Sequence, residues 1–319
     1  MPIRPPLLVT DLVNIRYLTG IPLSAGSVLV RQIRSMLFVD DRYLEHAGYG
    51  RRGMRVRHIR ELPHVLGRIR RCGFEAEHVT IVQVDSWKKK FPRTRFVPRT
   101  DVIEYLRRQK RPEELRALRR AERMTEEMLR RIPFVLRRKI TEKELAWKLR
   151  LWAHDLGADA LAFDPIVAFS AHTSQPHHHP TSRRLRKGDL VQIDVGAKYN
   201  GYCADRSAVY FTGEPTALQG KVHAAVKEAL ASVKAAVRAG VTNRALDRLA
   251  RRVLHRHGFE REFCHALGHG VGLDIHEGVT LSEKAPLTKL LQSEVIAIEP
   301  GLYFPGKFGM RLEEMVYVR

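Results

Sequence analysis

The stretch "LVQIDVGAKYNGYCADRSAVYF", residues 190 to 211, carries two acidic side chains where a β-hairpin would bury apolar ones. Two β-rich arms flank Asn200-Gly201, a dipeptide that accepts the positive φ values of a tight type I′ turn. Pairing outward from Tyr199 and Tyr202 sets Asp194 opposite Ser207, so Asp205 shares its face, roughly 7 Å away on the diagonal. Carboxylates that close repel one another, and burying them unpaired is costly or raises a pKa, so a cation is the natural resolution. On this stretch alone, two solvated aspartates on an exposed face are the alternative.

A second hairpin, "EVIAIEPGLYFPGKFGMRLEEMVYVR", strengthens the case for a cation. Its arms flank Pro305-Gly306, and Glu299 and Glu313 stand equally far from Gly306, hence opposite each other. Alternation sends Glu313 and Glu314 to different faces, and the register selects Glu313 as the partner of Glu299. Between the hairpins lies "CHALGHGVGLDIHEG", in which Gly268, Gly270 and Gly272 surround His269 and let the backbone pass close to a neighbour. One imidazole and four carboxylates form a hard, oxygen-rich donor set. It suits a pair of divalent ions, Mn²⁺ or Co²⁺ foremost with Zn²⁺ admitted, and differs from a structural zinc site.

These residues need a frame. Residues 1–108 read as a small α/β domain, with strands at "LLVT" and "SVLVRQIRSMLFVD", a helix over "HIRELPHVLGRIRRCG" closed by Gly73, and a strand at "HVTIVQVD". Composition shifts at "RRQKRPEEL", and residues 109–319 form the second domain. There Pro112 opens an apolar-periodic helix through Leu115, Leu118 and Met128. Thr141 and Glu144 make a capping box for a helix with a stripe of Leu145, Leu149, Trp152 and Leu156, stopped at Gly157. Strands follow to Phe211. Two helices, 216–239 and 242–257, and a strand-rich stretch to 318 then repeat this order. Asp194 and Glu299 stand 105 positions apart and Asp205 and Glu313 stand 108, as an internal duplication about an approximate two-fold axis requires.

At 319 residues and 44% hydrophobic content, the chain can bury two cores, which excludes a disordered protein. The opening "MPIRPPLLVTDLV" has no long apolar core of a secretory signal, and no run reaches the roughly 18 apolar residues of a membrane span. A cytoplasmic protein without membrane partners is therefore expected. Cys72, Cys203 and Cys264 show no paired spacing, and the latter two read as small buried fillers. The net charge of +21 is concentrated in blocks such as "RRGMRVRHIRELPHVLGRIRR", residues 51 to 71, and "LRRQKRPEELRALRRAERM". Glutamates interleave the second block at helical spacing, and neither block carries a nucleic-acid-binding signature. A solvated basic surface is preferred over specific nucleic-acid binding, with weak polyanion affinity retained.

The motifs "DVGAKYNGYCAD", "GHGVGL", "IEPG" and "RLEE" together resemble the pita-bread metallopeptidases, the family of Xaa-Pro aminopeptidase (aminopeptidase P), prolidase, methionine aminopeptidase and the metal-free creatinase. "LLVTDLVNIRYLTGIPLSAGSVLV" and "MLFVDDRYLEHA" are similar to the amino-terminal domain of creatinase and the proline-specific members. The resemblance implies an α+β protein, with a small α/β creatinase-like domain followed by a pseudo-two-fold pita-bread catalytic domain. It also implies that Asp194, Asp205, His269, Glu299 and Glu313 hold two metal ions, with Asp205 and Glu313 bridging. A hydroxide between the ions would attack the scissile carbonyl, while Glu299 shuttles a proton to the leaving nitrogen. His177, in "SQPHHHPTSRRLRKGDLV", matches the family's substrate histidine, and His276 the histidine that stabilises the tetrahedral intermediate. His265 and Arg311 match further positions beside the substrate, whereas His178 and His179 read as an exposed polar loop.

The expected activity is that of an exopeptidase cleaving the Xaa-Pro bond at the amino terminus of peptides or dipeptides, in a homodimer. Two other readings stand beside it: a catalytically silent module that binds protein or nucleic acid, and a peptidase of broader amino-terminal specificity. Ser207, Ala208 and Val209 replace a threonine, arginine and threonine of many relatives, and Val279 and Thr280 replace a proline and arginine.

Overall fold

The computed structural model describes residues 6–50 and 53–319. The first five residues of the opening stretch, and Arg51 and Arg52 of the first basic block, lie outside the described residues. Two compact units divide the chain, Met1–Arg107 and Arg108–Arg319.

In the first unit the strands are β1 (Leu7–Val9), β2 (Ser27–Val30), β3 (Met36–Val39), β4 (Arg55–His58), β5 (Arg71–Glu75) and β6 (Arg95–Arg99). They form one mixed sheet in the order β4-β3-β2-β1-β5-β6. The first three are buried along their whole length, which is why they read as continuous apolar runs. Leu8, Leu29, Phe38, Leu66 and Phe74 form the core beside the sheet.

Two expectations fail in this unit. The stretch from His58 to Gly73 is not one helix: a 3-10 turn (Ile59–Glu61) and a short helix (Leu62–Leu66) precede β5, which contains Gly73. "HVTIVQVD" is not a strand but leads into the helix Ile81–Lys90. Thr80 and Gln83 form a reciprocal capping box there, and Ile81 and Val82 are left 80% and 78% exposed. The cap satisfies backbone donors that the β-branched run alone does not, and it outweighs the run's β propensity.

The second unit begins with two helices, α1 (Pro112–Val135) and α2 (Glu142–Asp155). Leu118, Met124, Met128 and Ile132 line the buried stripe of α1, and the predicted Thr141/Glu144 box caps α2. Strands β7 (Ala160–Leu161), β8 (Ile166–Phe169), β9 (Leu190–Val195), β10 (Ala197–Tyr199), β11 (Tyr202–Cys203) and β12 (Arg206–Phe211) follow. They make two small sheets, β11-β10-β7 and β12-β9-β8. Helices α3 (Ala217–Ala236) and α4 (Asn243–Arg256) then lead to β13 (Gly268–Gly270), β14 (Glu277–Leu281), β15 (Val295–Ile298), β16 (Gly301–Phe304), β17 (Phe308–Arg311) and β18 (Glu314–Tyr317). The sheet β14-β13-β15-β18 and the hairpin β16-β17 complete the repeated helix-helix-sheet order.

Each half has its own core. Met128, Ile132, Leu145 and Leu149 pack on Val167, Val191 and Ile193. Val226, Leu230, Leu246 and Val253 pack on Ile296, Ile298 and Leu302. Burying an aliphatic side chain of this size contributes roughly 1.5–3 kcal/mol, so these cores hold both acidic hairpins in fixed register. No described helix is long and apolar enough to cross a membrane.

Candidate metal centre

Tyr199 pairs with Tyr202 across Asn200 (φ 49°) and Gly201 (φ 78°), and β9 pairs with β12 so that Asp194 faces Ser207. Asp205 stands in the gap between β11 and β12. Gly196 makes the matching gap between β9 and β10, since a Cβ there would sit 1.7 Å from the Ala204 carbonyl oxygen. In the second hairpin, Ile298 pairs with Glu314 and Gly301 with Arg311, which leaves Glu299 and Glu313 facing across the intervening break. Glu313 is buried, while Glu314 turns outward to Lys234 and Arg206.

His269 is the central residue of β13 and pairs with Ala297. A Cβ on Gly268 would lie 2.0 Å from the Ala297 oxygen, and one on Gly270 would lie 2.1 Å from the Glu277 oxygen. The close approach expected of these glycines is therefore what seats the imidazole.

Backbone groups of the second hairpin are tied to the first at Arg311 and Glu313. The side chain of Gln192 accepts from the Arg311 amide at 2.8 Å and donates to the Arg311 carbonyl at 3.1 Å. The Glu313 amide donates to the Ser207 carbonyl at 3.1 Å. As a result His269 Nε2 lies 3.5 Å from Asp205 Oδ2 and 3.8 Å from Glu299 Oε1. One ligand atom each from Asp205, His269 and Glu313 fall within 4.8 Å of one another. The Arg311 guanidinium donates to Asp194 Oδ2 at 2.5 Å, Ser207 Oγ at 2.9 Å, Tyr303 Oη at 2.9 Å and the Pro176 carbonyl at 3.2 Å. Ser207 Oγ in turn donates to Glu313 Oε2 at 2.9 Å.

All nine residues singled out in the sequence line one cavity of about 520 Å³: Asp194, Asp205, His269, Glu299, Glu313, His177, His265, His276 and Arg311. His177 is exposed to it, and the His276 ring packs edge-on against His269 with centroids 4.0 Å apart. His265 Nε2 lies 3.2 Å from Tyr303 Oη.

Electrostatics set the chemistry. Burial, reinforced by neighbouring carboxylates, raises the pKa of Asp205 and Glu313 well above the ordinary range, and burial lifts Glu299 to about 7. Burial has the opposite sign for imidazoles, bringing His265 and His269 down to about 4 and lowering His276. His269 is thus neutral at neutral pH, the form of imidazole that can ligate a cation. Asp194 Oδ1 is buried and unpartnered, and Arg311 is the guanidinium set against four clustered carboxylates. An orphaned acceptor, a neutral imidazole and a deficit of positive charge fit divalent cations.

Three features depart from the sequence reading. His178 is not part of an exposed loop but is 6% exposed, because it is hydrogen-bonded to a buried glutamate. Cys264 is exposed, whereas Cys203 is buried as expected. Gln192 and Tyr303 drew no notice. Gln192, a polar residue inside an otherwise apolar strand, was the available signal; Tyr303 looked like any strand aromatic.

A duplicated helix-and-sheet frame with this donor set at its centre is an arrangement suited to a metal-dependent enzyme. The metallopeptidase family M24 matches residues 116–319 and the creatinase/prolidase N-terminal domain matches residues 6–109, so this chain belongs to metallopeptidase family M24. It is 31% identical to the Xaa-Pro dipeptidase of Pyrococcus furiosus over 96% of this chain and 88% of that protein. It superposes on an Xaa-Pro dipeptidase from Bacillus anthracis with TM-score 0.94 at 29% identity, covering 98% and 90% of the two chains. The X-Pro aminopeptidase of Thermotoga maritima gives TM-score 0.90 at 30% identity, covering 98% and 92%. The expected α+β class and pita-bread architecture are thereby established.

Proposed function

We propose that this chain is a dinuclear metal exopeptidase that hydrolyses the Xaa-Pro bond at the amino terminus of peptides. The convergence of Asp194, Asp205, His269, Glu299 and Glu313 in one cavity with His177 and His276 carries the reading. The relatives named for Xaa-Pro substrates, similar over nearly the whole chain, support the substrate class.

Asp194, Asp205, His269, Glu299 and Glu313 would hold two divalent ions, and oxygen-rich ligation favours Mn²⁺ or Co²⁺. Such ions, when bound, lower the pKa of water and polarise a carbonyl. The chain's own groups do the rest. Glu299 is 19% exposed against 6% for Asp205, so it is the better placed of the two to exchange a proton with substrate. We assign it the proton delivered to the leaving proline nitrogen. A tertiary amide offers no N–H to a pocket, so recognition falls on its carbonyl oxygen and on the ring. His177 and His276 face the cavity and are assigned to that carbonyl and to the charge it develops. Arg311, with its donors directed to protein groups, orients Asp194 and the loop at Pro176.

Incubation of Mn²⁺-loaded protein with paired Xaa-Pro and Xaa-Ala dipeptides and tripeptides tests this reading. Release of the amino-terminal residue from the prolyl members supports it. Equal cleavage of both sets would replace it with a broader amino-terminal peptidase, and no cleavage of either would reject it.

A further inference from the structure

Bordering the cavity, which His178 also lines, a second cluster gathers Glu142, His172 and His178. Glu142 opens α2 and its side chain is fully buried. Its Oε1 accepts the Phe169 amide at 2.9 Å and lies 2.8 Å from His172 Nδ1. Its Oε2 accepts the Thr181 amide at 2.9 Å and the Thr181 hydroxyl at 2.6 Å, and lies 3.0 Å from His178 Nε2. Five donors on two oxygens leave no lone pair for an ion, so the cluster is a hydrogen-bond hub.

What the hub holds is the segment 170–181. Glu142 binds its two ends, at Phe169 and Thr181, and the α2 amides of Glu142 and Lys143 donate to the carbonyls of Arg183 and Thr181 at 3.1 and 3.0 Å. Backbone donors left free at a helix start are thus satisfied by this segment. Ser170 adopts φ 51°, a left-handed conformation that a serine keeps only when its surroundings enforce it. His177 sits between two anchors: Pro176, whose carbonyl accepts from Arg311, and His178, whose ring meets Glu142. Its own side chain is left facing the cavity.

We infer that Glu142, acting through His178 and Thr181, is a positioning residue that presents His177 to the substrate. The inference rests on the Xaa-Pro reading for its kinetic consequence, but the geometry of the segment is independent of it. Glu142 is not among the residues that line the cavity. Whichever way a glutamine amide turns there, its NH2 meets a backbone N–H, that of Phe169 or that of Thr181, which loosens the segment without removing a proposed metal ligand.

The test uses the full metal-loaded chain and a double-mutant cycle. Glu142→Gln should lower kcat/KM for an Xaa-Pro dipeptide about 10–100-fold, the usual effect of a group that orients a functional one, with metal content unchanged. In a His177→Ala background the same substitution should cost less than about twofold, because the two changes act through one side chain. An equal cost in both backgrounds, or a Glu142→Gln enzyme within about twofold of the parent, overturns the inference. Should Glu142→Gln not fold, His178→Phe replaces it in the cycle, and His178→Gln, which keeps a donor, should recover activity. Hydrogen exchange separates this inference from the functional reading. Amides of residues 170–181 should lose protection in the variant whether or not any Xaa-Pro substrate is cleaved, and unchanged protection overturns the inference even in an active enzyme.

Discussion

Arg311 and Asp194 form a buried pair in which the guanidinium takes Oδ2 at 2.5 Å and leaves Oδ1 enclosed without a partner. One carboxylate thus faces protein with one oxygen and keeps the other unpaired. Its orientation is set by a group that also reaches Ser207, Tyr303 and Pro176. Lysine cannot reproduce this fork of donors. Arg311→Lys should therefore lower kcat/KM about 10–100-fold. Steady-state kinetics beside a circular dichroism spectrum of the folded variant check it.

Ser207 occupies the point between Arg311 Nε and Glu313 Oε2, accepting from the first and donating to the second, each at 2.9 Å. Ser207→Ala leaves both without that partner inside the protein, and metal affinity should fall about tenfold or more. Ser207→Thr keeps the hydroxyl and should retain the parent affinity. Titration of apo protein with Mn²⁺ separates the two variants.

Metal binding should strengthen as pH rises. Folding raises the pKa of Glu299 to about 7 and those of Asp205 and Glu313 well above their unfolded values, so the metal-free fold prefers these carboxyls protonated. That contribution to apo stability is present at low pH and is lost as pH rises through the folded values. His269, held at about 4, has the opposite sign but is already neutral at pH 5.5 and does not compete with a cation above that. Ions must displace protons from the carboxyls at pH 5.5 and from fewer of them at pH 8. The rise in Tm on adding Mn²⁺ should thus be larger at pH 8 than at pH 5.5, as differential scanning calorimetry would record.

Gly196→Ala should destabilise the protein by about 3 kcal/mol or more, since the new methyl would meet the Ala204 backbone and prise apart the hairpin that carries both aspartates. Gly220→Ala is the control. That glycine lies on an exposed face of α3 with nothing within 4 Å of a Cβ, and the change should stabilise by about 0.5–1 kcal/mol. Urea denaturation of both variants reads the contrast.

The acidic hairpins were legible because a short turn and strict alternation fix register by counting: Asp194/Ser207 and Tyr199/Tyr202 pair about the two-residue turn, and Gly301/Arg311 pair about Gly306 in a three-residue one. The capped helix at Thr141 was legible for a similar reason, since its signal is local. The helix after Thr80 was misread because its residues favour strands and only the cap at Gln83 argues otherwise. His178 and Gln192 were missed because their partners, Glu142 and Arg311, lie 36 and 119 positions away, and no local pattern encodes such distant contacts.

The most direct test is the metal content of the purified, Mn²⁺-saturated protein, measured by mass spectrometry of the elements against protein concentration. Two ions per chain are expected, falling to one or fewer in a folded Asp205→Asn variant that has also lost activity. A single ion in the parent, or an undiminished pair in the variant, would contradict this expectation.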